Sequence, residues 1–142
     1  MKSKLTLVFI ITAISTLLFA CSPALKQVSV EASCDDFYKL QHISKEVEVA
    51  VGDSFTVTLC SNPSTGFQWS ETAQISDQTV LQPVDHKFVP PEKTGVEGAP
   101  GQEVWTFKAL KKGTSVISME YSRPWEGGEK GEWTFNLTVV VK

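Results

Sequence analysis

Cysteine and histidine are the side chains of this sequence best suited to covalent or metal chemistry, and their spacing supports neither. There are three cysteines and two histidines. His42 and His86 lack the sequence context of a catalytic nucleophile and base. After Cys60 the next histidine is His86 and the next methionine is Met119, too far on for the compact Cys, His and Met set of a copper sandwich. No cofactor, metal or catalytic residue is therefore expected. What the sequence offers is recognition chemistry on three turn motifs. They are Asn62-Pro63-Ser64-Thr65-Gly66-Phe67, Gly98-Ala99-Pro100-Gly101 and Arg123-Pro124-Trp125-Glu126.

In the first motif Asn62 can bond its own backbone, Pro63 fixes φ and restricts Asn62, and Gly66 can take positive φ at the exit. Ser64 and Thr65 are then expected at the tip with hydroxyls and amides outward. In the second, Pro90-Pro91 stiffens the entry, and Gly95, Gly98 and Gly101 leave little side chain to keep a partner away. Read alone, it is equally a flexible and silent linker. In the third, Pro124 restrains Arg123 and sets Trp125 ahead of the Gly127-Gly128 turn. Trp and Arg are the residue types most enriched in interface hot spots. Trp125 has two readings: an exposed anchor, or an indole folded back over the edge of the fold. Glu126 and Glu129 read as solvated rim charges.

The elements that position these motifs follow from a period of two. Val47, Val49 and Val51 alternate with Glu46, Glu48 and Ala50, and a Gly52-Asp53 turn leads to Phe55, Val57 and Leu59 on one face. Phe67–Ala73 reads as a third strand and the less regular Thr79–Val89 as a fourth. Trp105, Phe107 and Ala109 form a fifth, and Ile117, Met119 and Tyr121 follow the Gly113-Thr114 turn. Trp133, Phe135, Leu137, Val139 and Val141 give the cleanest run. No segment after the leader shows an amphipathic helical period. Seven to eight short strands predict an all-β, immunoglobulin-like sandwich, with Trp69, Trp105, Phe107, Trp133 and Phe135 as core. If successive strands reverse direction, the loops after the second, fourth and sixth strands, which hold the three motifs, share one end.

Residues 1–20 read as a targeting leader. Lys2 and Lys4 precede an apolar run from Leu5 to Ala20, and Leu18-Phe19-Ala20-Cys21 resembles a bacterial lipobox. The resemblance implies cleavage before Cys21 and lipid attached there; the other reading is a plain secretory signal. Ser22 favours the outer membrane if the host is Gram-negative. Residues 21–45 read as a lipid tether and N-terminal segment, and 46–142 as one domain. Losing Lys2 and Lys4 takes 13 basic residues to 11 against 16 acids, a net charge of −5. The densest basic spot is Lys108, Lys111 and Lys112, so a nucleic-acid partner is not expected. Cys34 and Cys60 remain, either bridged or as buried free thiols; an exported setting favours the bridge.

The three motifs, in this order and spacing, resemble those of chagasin-like inhibitors of papain-family cysteine proteases, over roughly Glu46 to Lys142. In that family an NPTTG-type loop, a GxGG-type loop and an RPW-type loop lie on an immunoglobulin-like sandwich, and the Gly113-Thr114 turn and Tyr121 match as well. Ser64 stands where Thr is commoner, and Pro100 stands where Gly is usual, removing an amide donor. The resemblance implies reversible, competitive inhibition without cleavage. Asn62–Phe67 would enter the cleft with Thr65 near the catalytic cysteine, flanked by Gly98–Gly101 and by Arg123–Glu126, with Trp125 on the primed side. The expected partner is a papain-family (cathepsin L-type) cysteine protease, bound by a monomer whose only membrane contact is its N-terminal lipid. A non-inhibitory, lipid-anchored adhesion or ligand-binding sandwich is the alternative, since fold does not fix function.

Overall fold

The computed structural model describes residues 27–92 and 95–142. Two sheets face each other across one core. The first orders β1 (Val28–Ala32), β3 (Ser54–Ser61), β7 (Gly101–Ala109) and β6 (Leu81–Val89). The second orders β2 (His42–Val49), β9 (Trp133–Val141), β8 (Gly113–Ser122) and β4 (Gln68–Trp69), with β5 (Gln74–Ile75) also on β8. The all-β sandwich expected from the alternation is present. Phe55, Val57, Leu59, Phe107, Phe135, Leu137 and Val139 are all fully enclosed. Each such side chain contributes roughly 1.5–3 kcal/mol relative to exposure. Trp69, Trp105 and Trp133 are core as read from the sequence.

Three expectations need correction. The described residues hold nine strands rather than seven or eight, because the third is interrupted into β4 and β5 and because β1 adds one. β4 and β5 both run antiparallel to β8, so they share a direction and the alternation of loop ends survives the split. The part of the tether from Val28 to Ala32 is a strand paired parallel to β3. Val30 and Ala32 are buried and Ser29 and Glu31 are open, a period of two over too few residues to stand out. The absence of a helix is likewise wrong: α1 spans Cys34–Leu40. Its one buried residue, Phe37, gives no stripe to detect. Its local signal is the capping box, in which Ser33 accepts from the Asp36 amide and Asp36 accepts from the Ser33 amide.

β6 accounts for its irregular sequence. It is an edge strand whose register with β7 shifts between Pro83 and Asp85, and proline is tolerated there because an edge needs no donor. Cys34 and Cys60 are bonded, closing a sequence separation of 26 and tying α1 to the end of β3.

Candidate functional site

Asn62 leaves β3 and organises the first loop. Its amide donates to the Tyr121 hydroxyl at 2.8 Å, its Oδ1 accepts from the Ser64 hydroxyl at 2.6 Å, and its Nδ2 donates to the Gly98 carbonyl at 2.9 Å. One side chain therefore shapes the first loop and ties it to the second. Pro63–Thr65 forms a single 3-10 turn, closed by Gly66 at φ 81. The expectation of outward hydroxyls and amides is overturned. The Thr65 hydroxyl donates back to the Asn62 carbonyl at 2.7 Å, and the amides of Thr65 and Gly66 bond Asn62 and Pro63 carbonyls within the turn. Short polar side chains next to turn backbone satisfy it before they reach solvent. What Pro63, Ser64 and Thr65 expose is a compact, largely self-satisfied knob whose uncommitted parts are the proline ring and the Thr65 methyl.

Phe67, expected in the binding motif, is buried beneath it, stacked on Tyr121 at 5.5 Å between centroids. Over the Phe67 ring lies the Arg123 guanidinium, 4.4 Å from its centroid. Arg123 also donates to the Thr65 carbonyl at 3.3 and 3.4 Å and pairs with Glu129 at 3.0 Å. Arg123 thus clamps the third loop to the first and is only partly exposed. Glu129, read as a free rim charge, is its partner, although at 65% exposure the pair adds little stability. Lys130, which the sequence did not single out, donates to the carbonyls of Arg123 and Trp125.

Both readings of Trp125 hold in part. The residue is 52% exposed, and its ring lies against Gly66, where an added Cβ would fall 2.6 Å from Cη2. Pro124 and Glu126 beside it are exposed. In the second loop Gly98 and Pro100 are open and Ala99 is half-buried. Gly101 belongs to β7 and is buried, with the Val89 carbonyl 2.5 Å from where a Cβ would sit. It is a glycine because β6 approaches there, not because a partner does.

Below the loops, the Ser61 hydroxyl donates to one oxygen of buried Glu103 at 2.7 Å, and His86 Nε2 meets the other at 2.7 Å. Serine and imidazole sit on opposite oxygens of the carboxylate, so His86 is not placed to take the serine proton. His86 stacks on Trp105 at 4.5 Å, and His42 bonds Thr134. The sequence motifs therefore converge, but through bonds to one another rather than as separate arms. Lys130 is a supporting residue that short motifs do not reveal, while Tyr121, matched through the family resemblance, accepts from the Asn62 amide.

Comparison with known proteins agrees with this geometry. The sequence profile of the chagasin family of peptidase inhibitors (I42) matches residues 48–139. The chain is 30% identical over 120 residues to amoebiasin-2 of Entamoeba histolytica, covering 77% of this chain and 92% of that one. It is 33% identical over 104 residues to chagasin of Trypanosoma cruzi, covering 71% and 91%. The crystal structure of the cysteine protease inhibitor EhICP2 from Entamoeba histolytica shares the fold, with a TM-score of 0.64 at 22% identity over 84% of this chain and all of that one. With a family profile spanning most of the sandwich and two relatives aligned over most of their length, this chain belongs to the chagasin family of peptidase inhibitors and is an inhibitor, not an enzyme.

Proposed function

We propose that the peptidases inhibited are papain-like cysteine proteases, and that the three-loop surface occupies their active-site cleft reversibly and competitively. The observation that carries this is the mutual bonding of the loops: Asn62 to Gly98, and Arg123 to Thr65. Loops ordered before binding lose less entropy on docking, which favours tight association. The 3-10 turn at Pro63–Thr65 holds the backbone away from the extended form that a protease cleaves, so the knob fills the cleft without becoming substrate. Thr65 faces the catalytic cysteine, the Gly98–Pro100 loop and Arg123–Glu126 flank it, and Trp125 supplies the apolar anchor.

The lipobox-like Cys21 lies outside the described residues, as does the rest of 1–26. We propose lipid attachment there and an extracytoplasmic, envelope-anchored monomer, on the outer membrane if the host is Gram-negative. Lys2, Lys4, the apolar run and the oxidised Cys34–Cys60 pair support export.

The test is titration of the chain lacking residues 1–21 into papain and a cathepsin L-type enzyme. The expected result is stoichiometric inhibition that reverses on dilution. No inhibition of either enzyme at micromolar inhibitor overturns the papain-like reading. Trp125→Ala should raise the inhibition constant by roughly thirty-fold, the equivalent of about 2 kcal/mol, with little change in thermal midpoint.

A further inference from the structure

The end of the sandwich that carries the loops is closed by a fourth element. β1 runs parallel to β3 and finishes with Ala32 opposite Leu59, so the chain has reached the loop end when α1 begins. β2 departs from His42, opposite Thr134, beside the start of β9 and the exit of the third loop. α1 is therefore fastened at this end on both sides. Cys34 is bonded to Cys60, two residues before Asn62. Phe37 is fully buried, stacked on Trp133 at 5.0 Å and tilted against Trp69 at 5.2 Å.

The outer side of this helix exposes two large apolar side chains beside the charged Asp35 and Lys39. Tyr38 is 70% exposed and Leu40 63%, more than any other large apolar side chain among the described residues. Phe37, the disulfide and the capping box already hold α1, and a helix this short gains little from two open apolar side chains. Of the other exposed apolar groups, Val89, Val96 and Trp125 lie at this same end. Exposed apolar residues at the end that carries the loops give a partner docked there more apolar surface to cover.

We propose that α1 is a further contact element, with Tyr38 and Leu40 docking on an apolar patch at the rim of the same protease cleft. The inference rests on the inhibitor reading above. Continuity with the loop surface identifies the occupant: Cys60 leads directly into the first loop, and Trp133, which Tyr38 meets edge-on at 5.5 Å, directly follows the third. A partner seated on both loops extends over α1. α1 precedes residues 48–139, the stretch matching the family profile, and its contact would add to that of the three loops and shift the preference among proteases.

Inhibition constants for the wild-type chain without its leader, Tyr38→Ala/Leu40→Ala, Leu40→Ser alone, and Val51→Ser/Leu110→Ser at the opposite end decide the matter. Papain and cathepsin L- and cathepsin B-type enzymes form the panel. The double variant is expected to lose roughly ten-fold or more against at least one enzyme, and Leu40→Ser part of that, with the thermal midpoint nearly unchanged. The Val51/Leu110 variant should match wild type. Equal inhibition by wild type and both α1 variants across the panel overturns the proposal. So does a wild-type dimer in sedimentation that Leu40→Ser dissociates, which would assign the patch to a second copy. Failure of the wild type to inhibit any enzyme would instead remove the inhibitor reading, and this inference with it.

Discussion

Asn62 sits just past β3 with its amide held by the Tyr121 hydroxyl and its side chain divided between Ser64 and Gly98. Gly66 closes the same turn at φ 81 and forms the floor on which Trp125 rests. These two residues show how a tip is built from inside: the groups that fix its shape are not those that meet a partner. Gly66→Ala places a Cβ into Trp125 and in a left-handed backbone, which costs about 1–2 kcal/mol. The expected outcome is a lower thermal midpoint together with weakened inhibition, measured on one preparation by melting and by titration into papain. Unchanged inhibition would mean that the seat of Trp125 on Gly66 is irrelevant to binding. The motif residues were legible in the sequence because turn chemistry is local. That the Ser64 and Thr65 hydroxyls turn inward was not, since Asn62 presents competing acceptors only once the turn has closed.

At the scale of elements, α1 and its disulfide couple the N-terminal segment to the first loop. In the chain-entropy model, removing a bridge across a separation of 26 costs about 3–4 kcal/mol. Cys34→Ser/Cys60→Ser is expected to fold with a markedly lower thermal midpoint and to inhibit more weakly, because α1 and the base of the first loop lose their common tie. The capping box adds a pH dependence. The Asp36 carboxyl is held below its ordinary 3.8, chiefly by the Ser33 hydroxyl and then by the Ser33 amide, and Asp77 is lowered in the same way by Thr79. A depressed carboxylate contributes stability above its unfolded value and loses it as pH falls through the folded one. These groups should give a flat stability profile from about pH 5 upward and a decline below about pH 3.8, read from melts across that range. Ser33→Ala should flatten the Asp36 part of that decline.

For the whole molecule, strand direction sets which end faces what. β1 begins at Val28 opposite Phe55, at the end away from the loops. Six residues separate Cys21 from Val28, a reach on the order of 20 Å, and β3 carries the chain about a further 26 Å before the first loop starts. A lipid on Cys21 would then hold the opposite end near the bilayer and direct the loops outward. The lipidated chain in vesicles is expected to inhibit a soluble papain-like protease as well as the lipid-free chain does. Cys21→Ser should move it to the aqueous phase with its inhibition constant intact. Loss of inhibition on vesicles would contradict this orientation. Alternation along the strands, turn residues at fixed offsets and the order of three motifs determined the sandwich, the loop end and the kinship, because each is written in residue types and their spacing along the chain. Only the tertiary structure decided that Phe67 and Gly101 are buried, that Arg123 is a clamp and that α1 closes the loop end. Those facts depend on residues well separated in sequence meeting in space, as Gly101 meets Val89 and Arg123 meets Thr65, and no local pattern encodes such meetings.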